Sequence, residues 1–256
     1  MNVTVLQQNI VWNKPLLNRQ NAETAIRMNP GSGLYVLPEM FSTGFATEPA
    51  GFAEDEQGET LHWMRQISHE TGAALAGSVV VQSQGHYYNR FYFVCPDQEP
   101  VWYDKRHLFA YGGEDKHFTA GTRRVVVTYG GIRFLLQVCY DLRFPVFSRN
   151  RGDYDAILYV ANWPESRIRV WETLLSARAI ENQCYIVGVN RVGRDPNCTY
   201  CGGSAIIDPY GHFLAQCQRN IADTATATID LDALMAFRKK FPVLADADPF
   251  TIKTVQ

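Results

Sequence analysis

Residues 134–147 read FLLQVCYDLRFPVF. The run from Phe134 to Val138 is apolar enough for a strand buried on both faces. It stops at Cys139, with Tyr140 and Asp141 next and Arg143 close behind. In an α/β sheet, a reactive atom at the C-terminal end of a strand lies at the rim where ligands bind. Pro145 then restricts how the chain continues. A lone thiol in that place is a candidate nucleophile. A buried, inert thiol is the other reading, and only partner residues decide between them.

Two partners occupy equivalent places. Leu34-Tyr35-Val36-Leu37 is a short apolar run closed by Pro38 and Glu39, and Val101-Trp102-Tyr103 is another, closed by Asp104 and Lys105. If the three strands share one region of sheet, a carboxylate, an ammonium and a thiol meet at one rim. Their chemistry is coherent. A carboxylate in a partly dry pocket can take the thiol proton, and a fixed ammonium can stabilise the negative charge that develops on an attacked carbonyl.

These blocks resemble the nitrilase superfamily of carbon–nitrogen hydrolases. The matching segments are Leu37-Pro38-Glu39-Met40-Phe41, residues 103–109 (YDKRHLF), residues 138–145 (VCYDLRFP), Ala161-Asn162-Trp163-Pro164, and residues 177–182 (ARAIEN). The resemblance runs from Val5 to about Ile229, and residues 38–45 (PEMFSTGF) with the Cys139 block are most similar to the omega-amidase branch. It implies an α/β fold, a four-layer α-β-β-α sandwich assembled at least as a homodimer. It implies catalysis by Glu39, Lys105 and Cys139 through a thioester, with no metal or organic cofactor. The oxyanion is expected on Lys105 and the backbone N–H of Tyr140. A second acid beside the lysine is implied at Glu114, for which a solvated loop acid is the alternative. The omega-amidase branch implies a small-molecule substrate, the terminal amide of a 2-oxo dicarboxylic acid such as 2-oxoglutaramate.

Composition narrows the classes. The chain has 256 residues, 46% of them hydrophobic, with a net charge of −2 and a pI near 6.3. That size and apolar content support one large core, read here as a single domain over 1–256. No block of like charge suggests nucleic-acid binding. No run approaches the ~18 apolar residues of a membrane span, and residues 1–12 lack the marks of a signal peptide. Six irregularly spaced cysteines do not form a disulfide framework, so a reducing, cytoplasmic setting is expected.

Along the chain, helices are expected at Pro15–Ile26, Thr60–Thr71, Arg169–Asn182 and from the cap Asp230 to Lys240. Val170, Leu174 and Ala177 are expected on one face of the third. Paired strands are expected at 73–82 and 87–95 around Gln84-Gly85, at 125–128 and 132–138 around Gly130-Gly131, and at 205–207 and 212–215. Further strands are expected at 2–8, 155–160, 185–189 and 224–229. Residues 41–59 and 110–121 read as long loops, the kind that wall a pocket. The tail after about residue 242 is expected on a partner subunit.

Other candidates leave alternatives open. Phe41 and Trp163 either line the pocket or belong to the core. Arg143 either clamps a substrate carboxylate or ties the loop down by pairing with Asp141 or Glu39; the structural role is preferred. His107 or His212 would be the base of a Cys–His hydrolase, but a hydrogen-bonded structural His107 is preferred because Glu39 supplies a base. Cys198 and Cys201 form a C-x-x-C flanked by loop residues, read as incidental or pocket-rim thiols. The competing functions are another amidase or carbamoylase of the superfamily and, more remotely, a thiol or metal-binding module built on Cys198 and Cys201.

Overall fold

The apolar run Phe134–Val138 lies on an inner strand, Ile132–Val138, of the computed structural model, which describes residues 1–252. Residues 253–256 of the tail expected on a partner subunit lie outside the described residues. The first half of the chain supplies β1 (Asn2–Gln7), β2 (Leu34–Val36), β3 (Glu54–Asp55), β4 (Ala74–Ser83), β5 (His86–Val94) and β6 (Val101–Asp104). The second half supplies β7 (Val126–Tyr129), β8 (Ile132–Val138), β9 (Ala156–Val160), β10 (Tyr185–Val189), β11 (Val192–Arg194), β12 (Thr199–Cys201), β13 (Ala205–Ile207), β14 (Phe213–Gln216) and β15 (Asp223–Thr228). The helices are α1 (Pro15–Met28), α2 (Glu59–Thr71), α3 (Pro145–Ser148), α4 (Ile168–Asn182) and α5 (Leu231–Lys240).

One sheet runs β15-β1-β2-β4-β5-β6 with β3 along β4, and the other runs β14-β13-β10-β9-β8-β7. Parallel pairs such as β8–β9 and antiparallel hairpins such as β4–β5 mix in each sheet. Side-chain alternation explains how the sheets stack. Phe134, Leu136 and Val138 of β8 face Val3, Val5, Phe91 and Phe93 of the other sheet, forming the largest apolar cluster. Leu135 and its outward neighbours Ile157 and Ile186 pack instead on Trp171, Leu175 and Ala179 of α4. Leu6, Tyr35 and Leu75 pack on Ala22 and Ile26 of α1 and on Leu61, Met64 and Ile67 of α2. The result is the four-layer α-β-β-α order. Each fully buried large apolar side chain contributes about 1.5–3 kcal/mol, so the layer between the sheets dominates the core.

The hairpin turns follow their sequences. Gly130 and Gly131 take φ +56° and +80°, the left-handed pair of a tight β-hairpin that only glycines fill without strain. Asp230 caps α5, its carboxylate accepting the Ala233 N–H at 3.0 Å.

Two expectations change. The buried face of α4 is Trp171, Leu175, Arg178, Ala179 and Asn182, with Val170, Leu174 and Ala177 only half-buried. The buried stripe departs from the apolar one because two of its members, Arg178 and Asn182, are polar. Both find partners within the fold: Arg178 donates to Leu142 O at 2.7 Å and to Glu181 Oε1 at 2.9 Å, and Asn182 accepts the Asn150 N–H at 2.9 Å. The C-x-x-C region is not all loop, since Cys201 lies on β12, paired with β11 in a short hairpin. In the tail, Val243–Asp246 forms a turn, and the Arg151 guanidinium lies 4.6 Å from the Phe250 ring.

Candidate active site

Four strand ends meet between the sheets. Glu39 follows β2 and Lys105 follows β6 in one sheet; Cys139 follows β8 and Asn162 follows β9 in the other. Cys139 turns the chain sharply, at φ +46°. That left-handed conformation costs a residue with a Cβ roughly 1–2 kcal/mol and is held by its surroundings. Asp141 supplies much of the hold. Its buried carboxylate accepts the Val138 N–H and the Tyr103 O–H, both at 2.8 Å, and the His107 N–H at 3.1 Å, pinning the end of β8 to β6.

Behind Cys139 lies a closed charged cluster. The Lys105 ammonium donates to Glu39 Oε1 at 2.9 Å and to Glu114 Oε2 at 2.9 Å, and all three side chains are fully buried. Glu114 also accepts the Phe109 N–H at 2.6 Å, so it is no solvated loop acid. The Asn162 N–H donates to Glu39 Oε2 at 2.8 Å, and its side-chain amide donates to Glu39 O at 2.6 Å. Asn89 donates to both Glu39 and Glu114. Neither asparagine stood out in sequence as a partner of the charges. Asn162 sat inside a family motif without a role, and Asn89 was one residue of an expected strand.

The electrostatics follow from burial. Burial pulls the Lys105 ammonium down, but the charges of Glu114 and then Glu39 outweigh it and hold it above its ordinary value. Glu114 is raised, by burial first and by Glu39, against the lowering pull of Lys105. Burial drives the Cys139 thiol well above its usual value; the Glu39 charge adds to this and Lys105 opposes it. A sulfur held in this way favours the thiol, and a thiol would need a base before it could act as a nucleophile.

Cys139 opens onto a cavity of about 450 Å³, whose walls include Phe45, Phe109, Tyr140, Arg143, Trp163 and Arg167. Tyr140 and Trp163 are in the wall, but Phe41 is not. Met40 takes φ +44°, and Phe41 falls into the core against the Trp63 ring, 5.8 Å away. Phe45, further along the same loop, takes the cavity place. The pairing of Arg143 with Asp141 or Glu39 does not form, because both acids are already occupied. The Arg143 guanidinium instead lies over the Trp163 ring at 5.1 Å, and that of Arg167 over Phe109 at 5.5 Å. Among the described residues, neither arginine has a carboxylate partner. His107 Nδ1 sits 2.7 Å from Asp141 Oδ1, its ring stacked on Phe144, and His212 is exposed beside Asp208.

Cys198 lines the cavity rim, while Cys201 is buried with Sγ 3.9 Å from Arg219. Among the described residues no group of three or more His, Cys, Asp or Glu could hold a metal ion, and no helix is long and apolar enough to cross a membrane.

The sequence profile described as carbon-nitrogen hydrolase matches residues 2–239. The chain is 46% identical over 253 residues to the omega-amidase YafV of Yersinia enterocolitica, covering 98% of each protein. It is 33% identical over 250 residues to the 2-oxoglutaramate amidase of Bacillus subtilis, covering 95% of this chain and 96% of that one. A Xanthomonas campestris CN-hydrolase superfamily protein, solved with an arsenic adduct in its active site, superposes with a TM-score of 0.96 at 41% identity and covers 99% of both chains. With its catalytic-type residues at four strand ends and that match along nearly its whole length, the chain belongs to the carbon–nitrogen hydrolase family.

Proposed function

We propose that this protein is an omega-amidase, a thiol hydrolase that converts 2-oxoglutaramate to 2-oxoglutarate and ammonia. The observation that carries the reading is the thiol of Cys139 on the floor of the cavity, backed by the buried ion cluster Glu39–Lys105–Glu114. Full-length similarity to enzymes named omega-amidase and 2-oxoglutaramate amidase supports the substrate.

Glu39 takes the thiol proton as sulfur attacks the amide carbon, and the carbonyl π electrons move to oxygen. Lys105 has three N–H donors; with one on Glu39 and one shared by the oxygens of Glu114, the third is free for the oxyanion. The Tyr140 backbone N–H is the second donor. Collapse breaks the C–N bond; the nitrogen leaves as ammonia carrying the proton from Glu39, and a thioester remains. Glu39 then deprotonates water, which attacks the thioester. The sulfur departs, regains the proton, and the acid is released.

In the cavity wall, Arg143 and Arg167 suit the substrate carboxylate, and the Trp163 and Phe109 rings beside them support guanidinium groups in a semi-dry site. The reading extends to one domain, to a homodimer and to a reducing, cytoplasmic setting. It is supported by the shared core between the sheets, by exposed apolar side chains at Ile180, Tyr210, Phe213 and Leu214, and by six free thiols.

The test is ammonia release from 2-oxoglutaramate and from its neutral methyl ester at one pH. A charge-assisted hydrogen bond to the carboxylate is worth about 1.5–3 kcal/mol, or about 10–150-fold in kcat/KM. Equal efficiency on acid and ester would return the chain to the amidases and carbamoylases that read no carboxylate.

A further inference from the structure

We propose that Asn89 is a positioning residue for the base, fixing Glu39 against Glu114 by donating one amide hydrogen to each. The contacts form a ring. Asn89 Nδ2 lies 2.8 Å from Glu39 Oε1 and 3.1 Å from Glu114 Oε1, and Lys105 Nζ lies 2.9 Å and 3.2 Å from the same two oxygens. The backbone adds a further link, since the Lys105 N–H donates to Asn89 O at 3.0 Å.

The strand explains how an asparagine arrives there. Phe91 and Phe93 of β5 face the second sheet, and Asn89 continues that row to the end where Cys139 lies. Arg90 points to the opposite face, to Asp104 and Glu56. A fully buried polar side chain ending an apolar row is costly unless it is hydrogen-bonded. The orientation of the amide is set by chemistry. Turned over, its oxygen would face two carboxylate oxygens; as placed, Oδ1 makes no hydrogen bond.

The charge balance shows why such a donor is needed. The charged and titratable groups facing the amide are Glu39, Glu114 and Lys105, with Cys139 beyond them. One ammonium between two buried carboxylates leaves one negative charge uncompensated when both are ionised. A second cation on the ring would compete with Lys105 for both acids. An amide satisfies one lone pair on each and changes no charge. It keeps Glu39 Oε1 occupied, so that the carboxylate does not swing.

This inference rests on Glu39 being the base, and its test is chosen to separate the two. The variants are Asn89→Leu, which removes both donors at similar size, and Asn89→Asp, which keeps the shape and replaces the donors with an acid. Losing the donors frees the Glu39 carboxylate to rotate away from the thiol, which slows proton removal without changing how substrate is held. At the wild-type optimum kcat should fall about 100-fold, with KM within about threefold, a pattern that a loosened cavity would not give. The rate of Cys139 alkylation by iodoacetamide reads the same base with no C–N bond broken and should fall in parallel. Asn89→Asp covers the case in which Asn89→Leu does not fold. If the alkylation rate and kcat of a folded variant equal those of the wild type, the role of Asn89 is overturned. If the wild type hydrolyses no amide but its alkylation slows on substitution, the amidase reading fails and the role of Asn89 stands.

Discussion

Cys139 shows how one backbone angle serves the chemistry. A left-handed residue at the end of β8 turns the chain so that sulfur meets the cavity while the buried cluster remains behind it. The strain of roughly 1–2 kcal/mol belongs to the Cβ, not to the sulfur. Cys139→Ala keeps that strain and removes the proposed nucleophile; Cys139→Gly removes both, against an entropy penalty for glycine of about 0.5–1 kcal/mol. Both variants should release no ammonia. Denaturant unfolding should find Cys139→Gly at least as stable as Cys139→Ala, by up to about 1 kcal/mol. A glycine variant markedly less stable than the alanine one would mean that the turn is unstrained. At this scale Glu39, Lys105 and Cys139 were legible because each is a polar residue that ends an apolar run. Asn89 was not, because nothing in one strand tells which row faces a charged neighbour across the sheets. Phe41 was misplaced for a local reason: the left-handed turn at Met40 sends it to the core and hands the cavity wall to Phe45.

Helix α4 backs the cavity wall, and its largest buried side chain is Trp171, in its first turn. The indole is fully buried, donates to Gly203 O at 2.8 Å and packs 5.5 Å from the Trp163 ring. Close approach makes this possible: a Cβ on Gly188 of β10 would stand 2.6 Å from Leu175 Cδ1 and 3.2 Å from Trp171 Cζ2. Replacing Trp171 with alanine should cost about 3–5 kcal/mol, from lost burial and the cavity left behind. Trp171→Phe should cost less, chiefly through the carbonyl of Gly203 left unpaired, about 1–3 kcal/mol. Equilibrium unfolding in urea measures both, and a loss under about 1 kcal/mol for the alanine variant would show that the layer re-closes. Hairpins and most strands were legible as elements, since their turns carry Gly85 and Gly130-Gly131 at fixed offsets. The buried face of α4 was not, because Arg178 and Asn182 sit inside it and Ile180 sits outside.

The stacking of the two sheets is the feature that no single element reveals. A two-residue alternation says that a strand has two faces, but not which strand covers it; only the family resemblance implied the four layers. That stacking also makes the site a joint between the sheets. Glu39, Lys105 and Asn89 come from one sheet and Cys139 and Asn162 from the other, with Asn162–Glu39 and Tyr103–Asp141 hydrogen bonds crossing the gap. A ligand seated over Cys139 against Arg143 and Trp163 therefore stabilises the molecule as a whole. By mass action, a ligand at about 100 times its Kd adds about 2.7 kcal/mol, and a chain of this size gains about 2–4 °C in Tm per kcal/mol. In Cys139→Ala, which the proposed mechanism leaves inactive, saturating 2-oxoglutaramate should raise Tm by about 5–10 °C. The neutral methyl ester at the same concentration should raise it far less, because the arginine donors are left without a carboxylate in a semi-dry cavity. Thermal unfolding with each ligand measures the difference. Equal rises would mean that the arginines do not read the charge, and no rise with either would mean that the cavity does not hold this substrate.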